Sequence, residues 1–306
     1  MARLHGFTKQ QVLDVYHTMV LARKLDDKMM TMLKQGKAFF HMGCSGHEAA
    51  QLAAANVMKG GEDWSYPYYR DGAYCLGLGM TAKEQLLSFL ARDADPNSGG
   101  RQMPMHYGHK ALRVVSQSSP TGTQFLQAVG CALTRKMEKS REIIYVSAGE
   151  GTTSQGDFHE ALNWASRAKA PIIFHIEDNE YAISTHRSDQ TAGSVYSMVN
   201  GYKNLSRYDV DGTNFFETNL AFKQAAERAR RGKGPTVIIS NVVRLVPHSS
   251  SDDQRKYRTP EALEEDQKQD PIHILENECL EEKFFTENDI EKIPVSYTHL
   301  TLPTNR

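Results

Sequence analysis

The segment spanning residues 143–185 constrains the fold of this chain most, because two different periodicities alternate within it. Residues 143–148, IIYVSA, form a short apolar run with the length and β-branched character of a buried strand. Between residues 158 and 168, apolar side chains recur at spacings of three and four, as on one face of a helix. A second apolar run, IIFHI at 172–176, follows a proline. The segment therefore predicts a strand–turn–helix–strand unit.

A polar triplet follows each of the two apolar runs. Residues 149–151 read Gly-Glu-Gly, and residues 177–179 read Glu-Asp-Asn. If the runs are neighbouring parallel strands, their ends meet at one edge of the sheet, which is where open α/β sheets bind ligands. We therefore expect a binding site at this edge.

The composition is that of an ordinary globular protein, with 40% apolar and 24% charged residues among 306. This length suffices for one large α/β domain or two smaller ones. The 36 basic and 37 acidic side chains nearly cancel, so no net field favours nucleic acid or an anionic membrane as a partner.

The cysteines and the apolar runs indicate the cellular compartment in which the protein is expected. Four scattered cysteines form no C-x-x-C pair, which favours reduced thiols over a disulfide framework or a zinc site. The first residues lack the apolar core of a signal peptide, and no apolar run is long enough to span a bilayer. We therefore expect a cytoplasmic protein.

Further helices and strands are predicted around the central unit. A broad apolar face indicates a long helix at residues 8–35. Other helical patterns occupy residues 81–92 and 122–137, a stretch capped by Asn214 and ending at Gly232, and segments beginning near Pro260 and Ile272. Residues 205–211 and 235–241 read as strands.

Two stretches without regular periodicity are candidates for site loops. The aromatic stretch YPYYR at 66–70 suggests a lining segment in which Arg70 faces an anion, although pairing with a neighbouring acid is an equal alternative. Residues 92–124 form a long loop, and loops of such length are usually functional or disordered. His106 and His109 are expected to be hydrogen-bonding loop histidines, because no acid or cysteine is spaced with them for metal binding.

Two chemistries compete for the edge formed by the polar triplets. A dinucleotide site would place the glycines under a diphosphate and Glu177 or Asp178 on a ribose, but its fingerprint requires a third glycine where Ser154 stands. Glu150 would also put a negative charge against phosphate oxygens.

That charge is tolerable if a cation lies between the carboxylate and the phosphates. Mg²⁺ is commonly held by few protein oxygens together with substrate phosphates. Glu150, the amide oxygen of Asn179 and a main-chain carbonyl such as that of Tyr181 would then be its ligands. The alternative without a ligand is a turn with a capping acid.

Four motifs, GRQMPMHYG, SSPTGTQ, GEGTTSQGDFHEALN and HSSSDDQRKYR, occur in this order, and YAIST follows Asn179 after one residue. In these motifs the chain resembles the alpha subunit, or alpha half, of the thiamine diphosphate-dependent decarboxylating component of 2-oxo acid dehydrogenase complexes. Glu150 and HSSSDD are more similar to the branched-chain enzyme than to the pyruvate enzyme. The resemblance extends to about residue 293 and implies an α/β thiamine diphosphate-binding fold, with a doubly wound, mainly parallel sheet flanked by helices and an N-terminal helical segment.

The resemblance also implies roles for individual residues. Mg²⁺ would be bound by Glu150, Asn179 and the carbonyl of Tyr181. His248 would be catalytic and would also contact the cofactor. The further cofactor-binding residues implied are Tyr69, Arg70, Ser119, Gly151 and Thr152. A potassium site is implied at Ser118, Pro120, Thr123 and Gln124.

At one position the chain differs from some relatives, and another position is one that is modified in relatives. Glu177 stands where some branched-chain relatives carry an arginine on the cofactor, so that contact is expected to be absent or reversed. Ser249 matches a position that is phosphorylated in animal relatives, and no regulatory role is assigned to it here.

The activity implied is thiamine diphosphate- and Mg-dependent oxidative decarboxylation of a 2-oxo acid, with a branched-chain acid such as 2-oxoisovalerate favoured. The implied partners are a beta subunit or fused beta half and a lipoylated acyltransferase. Phe39, Phe40 and Thr121 are candidates for the acyl pocket, yet one methylene of pocket volume discriminates only ~10–200-fold. Pyruvate or acetoin as substrate, a nicotinamide-dependent dehydrogenase and a non-catalytic scaffold remain alternatives.

The last residues break the pattern of the chain. From residue 295 onward, VSYTHLTLPTNR resembles a translated sequencing-library adapter. We therefore expect one domain at residues 1–294, truncated at its C-terminal end, and a non-native tail at 295–306.

Overall fold

The computed structural model describes residues 3–296. Helices of both α and 3₁₀ type surround the sheet formed by these residues. The α-helices are α1 (Lys9–Lys34), α2 (Glu48–Ala55), α3 (Gly72–Leu78), α4 (Ala82–Phe89), α5 (Thr123–Met137), α6 (Gly156–Ala168), α7 (Arg187–Gln190), α8 (Val195–Met198), α9 (Phe215–Arg230), α10 (Pro260–Lys268), α11 (Pro271–Glu281) and α12 (Glu287–Ser296). The 3₁₀ helices are Glu150–Ser154, Val199–Gly201 and Gln254–Lys256.

A parallel sheet of five strands in the order β1-β2-β3-β7-β6 forms the centre of the molecule. Its strands are β1 (Trp64–Tyr66), β2 (Ile144–Gly149), β3 (Ile172–Asp178), β6 (Ser206–Asp211) and β7 (Thr236–Asn241). A short antiparallel pair, β4 (Tyr181–Ala182) and β5 (Thr185–His186), follows β3. The chain proceeds from β1 to β3 in one direction and then returns from the opposite edge through β6 to β7, which is a doubly wound topology.

The strand register brings the polar triplets together. Gly149 pairs with Glu177, and Asp178 pairs with Asn241, so β2, β3 and β7 end at the same level. The residues that follow each strand therefore meet at one edge, as the sequence predicted.

Helices cover both faces of the sheet, and the strands contribute alternate residues to two cores. Tyr145 and Ile173 pack in the core that contains α9, whereas Ile144 and Phe174 pack in the core that contains α5 and α6. A strand buried on both faces needs apolar residues at nearly every position. This explains why the strands read as continuous apolar runs.

Most predicted elements are confirmed, and the structure adds short ones, among them β1, α3 and the pair β4–β5. The long N-terminal helix is α1, and Thr8 caps it through a capping box with Gln11. Asn214 caps α9 by accepting from two main-chain N–H groups. The stretch around Tyr66 was interpreted as irregular, but its first residues form the edge strand β1. Three residues are too few to show a period of two.

Three further predictions concern the C-terminal tail, the state of the cysteines and the lack of a membrane-spanning segment. Helix α12 continues to Ser296, and the remainder of the predicted tail, 297–306, lies outside the described residues. The four cysteines are free thiols. Among residues 3–296, no helix has the length and apolar character needed to cross a bilayer.

Candidate active site

A cavity of about 260 Å³ opens at the carboxyl edge of the sheet. Its wall is built mainly from the segments that follow β1, β2, β3 and β7, so the strand ends determine which side chains meet there. The lining residues are Tyr68, Tyr69, Arg70, Thr121, Gly149, Glu150, Gly151, Thr152, Asn179, Tyr181, Ala182, Ile183 and His248.

A larger groove of about 570 Å³ lies elsewhere, where α9 ends and the chain enters β2. It is open, and two of its three arginines already have acidic partners: Arg230 pairs with Asp63 and Arg231 with Glu227. We therefore assign the site to the cavity at the carboxyl edge, where polar side chains from several strand ends converge.

Glu150 is the most unusual group in the cavity wall. It begins the 3₁₀ turn after β2 and is 3% exposed. Its Oε2 accepts a long hydrogen bond of 3.4 Å from the Asn179 N–H, while its Oε1 is buried without a partner. Burial, and then the charge of Asp178, raises the pKa of Glu150 to about 7. A buried carboxylate with a bare oxygen is stabilised by a cation, so this residue fits a metal ligand.

The turn after β3 presents the second and third predicted ligands. The Tyr181 N–H donates to Asn179 Oδ1 at 3.2 Å, and this amide oxygen retains a second lone pair. Glu180 and Ile183 have φ angles of 68° and 56°, a left-handed conformation that is costly for a β-branched residue. Such strain persists only where surrounding contacts hold it, and here Arg244 Nη2 donates to the Ile183 carbonyl at 3.0 Å.

Gly151 shows why the turn after β2 needs glycine. A Cβ atom at this position would lie 2.6 Å from the Cβ of Ala182, on the turn after β3. The two turns can approach each other only because Gly151 has no side chain. The Gln190 amide also donates to the Gly151 carbonyl at 2.7 Å, which ties α7 to this turn.

Arg70 lines the cavity, and no carboxylate of the described residues is among its hydrogen-bond partners. The residue is 2% exposed; its Nη1 donates to the Gly43 carbonyl at 2.7 Å, and its Nη2 lies 3.3 Å from His248 Nδ1. Of the two alternatives drawn from the sequence, the structure therefore favours an arginine available to an anion over one paired with an acid.

His248 is neutral in this environment. Burial, together with the positive charges of Arg70 and Arg244, lowers the pKa of His248 to about 4. Because Arg70 donates to Nδ1, the proton of the neutral ring belongs on Nε2. The ring also meets that of Tyr69 edge to face, with centroids 5.9 Å apart.

A hydrogen-bond network that the sequence did not reveal holds the His248 loop. Asp252 accepts from the His248 N–H at 2.9 Å and from the Tyr257 hydroxyl at 2.5 Å. Arg244 Nη2 donates to the Tyr257 hydroxyl at 2.8 Å as well as to Ile183. The loop that carries His248 and the turn that follows β3 are therefore linked through one arginine.

Behind the cavity lies a second network of buried polar side chains. Glu177 does not line the cavity; its Oε2 accepts from the Tyr68 hydroxyl and Gln51 Nε2, both at 3.0 Å, and is 2.5 Å from His47 Nδ1. Burial, and then the proximity of Glu177, raises the pKa of Asp71 well above its usual range. Burial opposes ionisation of Glu177 too, but the hydrogen bond and charge of His47, together with His175 and Asp71, outweigh it, and the pKa of Glu177 falls to about 2.

The other predicted site residues lie nearby or face elsewhere. Ser119 is exposed and does not line the cavity; its Oγ is 2.8 Å from His106 Nε2, so its cofactor contact stays a prediction. Phe39 is 98% exposed and Phe40 packs against the core, and neither lines the cavity, whereas Thr121 does. Their roles in an acyl pocket remain untested.

The four residues of the implied potassium site form one turn before and into α5. The hydroxyls of Ser118 and Thr123 are hydrogen-bonded, and Thr123 also donates to the Pro120 carbonyl at 3.1 Å. Gln124 Nε2 donates to the Ser147 carbonyl of β2 at 3.1 Å. The turn is thus anchored to the strand that leads to Glu150.

The loop histidines behave as expected from the sequence. His106 contacts the Met103 carbonyl and Ser119, and His109 accepts from the Leu112 N–H. Over residues 3–296, no group of three or more His, Cys, Asp and Glu side chains is arranged to hold a metal. A metal in the cavity would instead use one carboxylate, one amide and a main-chain carbonyl.

Comparison with known proteins gives a consistent result. A model of the family described as "Dehydrogenase E1 component" matches residues 16–300. The chain is 47% identical to the 2-oxoisovalerate dehydrogenase subunit alpha of Bacillus subtilis, over 87% of this chain and 81% of that protein. It is 33% identical to the pyruvate dehydrogenase E1 component subunit alpha of Staphylococcus aureus, over 89% of this chain and 72% of that protein. It is also 33% identical to the 2-oxoisovalerate dehydrogenase subunit alpha of Pseudomonas aeruginosa, over 82% of this chain and 61% of that protein.

These similarities confirm the resemblance drawn from the motifs, including its branched-chain type, because 47% identity clearly exceeds the 33% found with the pyruvate enzyme. They also argue against the nicotinamide-binding alternative. The chain belongs to the dehydrogenase E1 component family.

Proposed function

We propose that this chain contributes the diphosphate- and metal-binding half of the active site in a thiamine diphosphate-dependent 2-oxo acid dehydrogenase. The reaction proposed is oxidative decarboxylation of a 2-oxo acid, with a branched-chain acid such as 2-oxoisovalerate favoured over pyruvate. One observation carries the proposal: Glu150 places a buried carboxylate oxygen without a partner beside Asn179, at the sheet edge where the strand ends converge.

The metal proposed is Mg²⁺, held by Glu150, Asn179 and the Tyr181 carbonyl. These groups supply the hard oxygen ligands that Mg²⁺ prefers, and few protein ligands are typical when phosphates complete the shell. Burial and the neighbouring charge of Asp178 raise the pKa of Glu150 to about 7, and a divalent cation bound to the carboxylate would favour its ionised form.

The diphosphate would be bound by Arg70 and Tyr69 on one side and by Gly151 and Thr152 on the other, with Ser119 as a further contact. Arg70 is buried and positively charged, and within residues 3–296 it makes no hydrogen bond to a carboxylate, which suits an anion. When bound, thiamine diphosphate supplies the electron sink that decarboxylation of a 2-oxo acid requires.

His248 is proposed as the catalytic residue of this chain. Arg70 donates to its Nδ1, so a neutral ring carries its proton on Nε2 and can donate it within the cavity. Asp252 holds the His248 main chain, which lets the ring keep its position when ligands enter.

The partners proposed are a beta subunit or beta half, which would complete the site, and a lipoylated acyltransferase, which would receive the acyl group. A potassium ion is proposed at Ser118, Pro120, Thr123 and Gln124, where hydroxyl and carbonyl oxygens gather in one turn.

The test is a thiamine diphosphate titration of the purified chain by calorimetry, with and without Mg²⁺. We expect Mg-dependent binding that Glu150→Ala abolishes and that the exposed control Glu138→Ala retains. Turnover with 2-oxoisovalerate, pyruvate and acetoin, with a dye as acceptor, is then compared with and without a co-expressed beta-type chain. Unchanged affinity in Glu150→Ala would refute the metal assignment, and robust activity of the chain alone would refute the half-site.

A further inference from the structure

His47 lies behind the cavity wall, between Glu177 and the proposed metal ligand Asn179. It is 0% exposed and immediately precedes α2. Its Nδ1 is 2.5 Å from Glu177 Oε2, and its Nε2 is 3.4 Å from Asn179 Nδ2. His47 does not line the cavity, so it has no direct contact with a ligand there.

The donors and acceptors around His47 allow one arrangement of protons. Glu177 Oε2 accepts from Tyr68 and Gln51, and its charge makes it an acceptor towards His47 as well, so Nδ1 carries a proton. Asn179 Nδ2 can only donate. Therefore Nε2 must accept with its lone pair, and His47 is the neutral tautomer protonated on Nδ1.

The Nε2 lone pair and the main-chain N–H of Tyr181 together favour one orientation of the Asn179 amide. With its NH₂ group on His47, its Oδ1 is directed to the Tyr181 N–H at 3.2 Å, at the turn that forms the cavity wall. A reversed amide would place an oxygen against the lone pair of Nε2 and its NH₂ group against an N–H donor, so both contacts would be repulsive.

We propose that His47, held by Glu177, is a positioning residue that orients the Asn179 amide oxygen towards a hard divalent cation in the cavity. The inference rests on the proposed function, because it requires Asn179 to be a metal ligand. Groups behind a ligand that restrict its orientation typically change metal affinity by about 10–100-fold when they are removed.

His175 offers a matched control. It too is 0% exposed and lies near Glu177, at 3.6 Å from Oε1, but its ring hydrogen bonds go to Tyr145 and Ser240 and not to Asn179. Replacing either histidine by leucine removes a buried imidazole beside the same acid. Only the His47 variant removes the contact to the amide.

The experiment measures Mg²⁺ affinity by calorimetry at saturating thiamine diphosphate, using the full chain in the assembly in which it is isolated. We expect His47→Leu to bind Mg²⁺ about 10-fold or more weakly, and His175→Leu to bind it as the wild type does. His47→Gln should retain most of the affinity, since its amide can donate to Glu177 and accept from Asn179. Equal losses in both leucine variants, or a loss in His47→Gln as large as in His47→Leu, would overturn the proposal.

Two further measurements separate the possible failures. If Glu150→Ala abolishes Mg²⁺ binding and His47→Leu does not weaken it, the positioning role is wrong while the metal site stands; if neither variant changes binding, the proposed function fails as well. Nitrogen-15 NMR of histidine-labelled wild-type chain needs no variant to fold. It should show His47 protonated on Nδ1, and protonation on Nε2 would contradict the inference.

Discussion

In the metal-free protein Glu150 should oppose folding increasingly as the pH rises, because folding buries one of its oxygens without a partner among the described residues. The pKa of this carboxyl is raised from 4.5 to about 7 in the folded chain. Below pH 4.5 the group is protonated in both states and has no effect. Between these values only the unfolded chain releases the proton, so the penalty on folding grows with pH and is complete above about pH 7.

The size of this destabilisation follows from the shift in the pKa of Glu150. A difference from 4.5 to 7 corresponds to about 3 kcal/mol at about 1.4 kcal/mol per pKa unit. About 2.5 kcal/mol of it develops between pH 5 and pH 8, since the unfolded carboxyl is already partly ionised at pH 5. Glu150→Gln keeps the shape and removes the ionisation, so it should be more stable than the wild type at pH 8 and nearly equal to it at pH 5.

The assay is urea denaturation of both proteins at several pH values in the presence of a chelator. Other titrating groups are shared, so the difference between the two curves isolates Glu150. Mg²⁺ with thiamine diphosphate should remove most of the difference at pH 8 by stabilising only the wild type, by about 2.7 kcal/mol at one hundred times the dissociation constant. A glutamine variant that is no more stable at pH 8, or that shows the same pH dependence as the wild type, would refute the reasoning.

Three further predictions concern the cavity wall. Gly151→Ala should lower the free energy of unfolding, measured by urea denaturation, by about 1–3 kcal/mol, because the new Cβ would lie 2.6 Å from that of Ala182. The control is Gly130→Ala, since nothing lies within 4 Å of a Cβ at that position. Arg70→Lys should weaken thiamine diphosphate binding about 10-fold or more in calorimetry, since one ammonium cannot replace both guanidinium contacts; an unchanged affinity would exclude the assignment. The turnover rate should show no ionisation of His248 between pH 5 and 8, because its pKa is about 4; an inflection near pH 6.5 that disappears in His248→Gln would contradict this.

The central unit and the metal candidates could be predicted from the sequence because their signals are local. The apolar runs of β2 and β3, the glycines that flank Glu150 and the position of Asn179 at a strand end are all legible along the chain. A strand–helix–strand connection commonly joins neighbouring parallel strands, so the ends of β2 and β3 could be expected to lie side by side.

The supporting contacts could not be predicted in this way. The roles of His47 and Arg244 were not anticipated, because one reaches Asn179 and the other Ile183 across more than 60 positions of sequence. Likewise, the loop that carries Ser119 is identifiable from its composition, but its hydrogen bond to His106 depends on how the loop packs.

The sequence by itself determined the α/β class, the family and the edge of the sheet at which the site lies, because periodicity, turn residues and motif spacing are properties of neighbouring residues. Only the tertiary structure decided that Glu150 keeps a bare buried oxygen, that Arg70 has no acid among its hydrogen-bond partners and that Glu177 faces His47 behind the cavity. The physical reason is that burial and hydrogen-bond partners depend on the packing of segments distant in the chain, which no local pattern encodes.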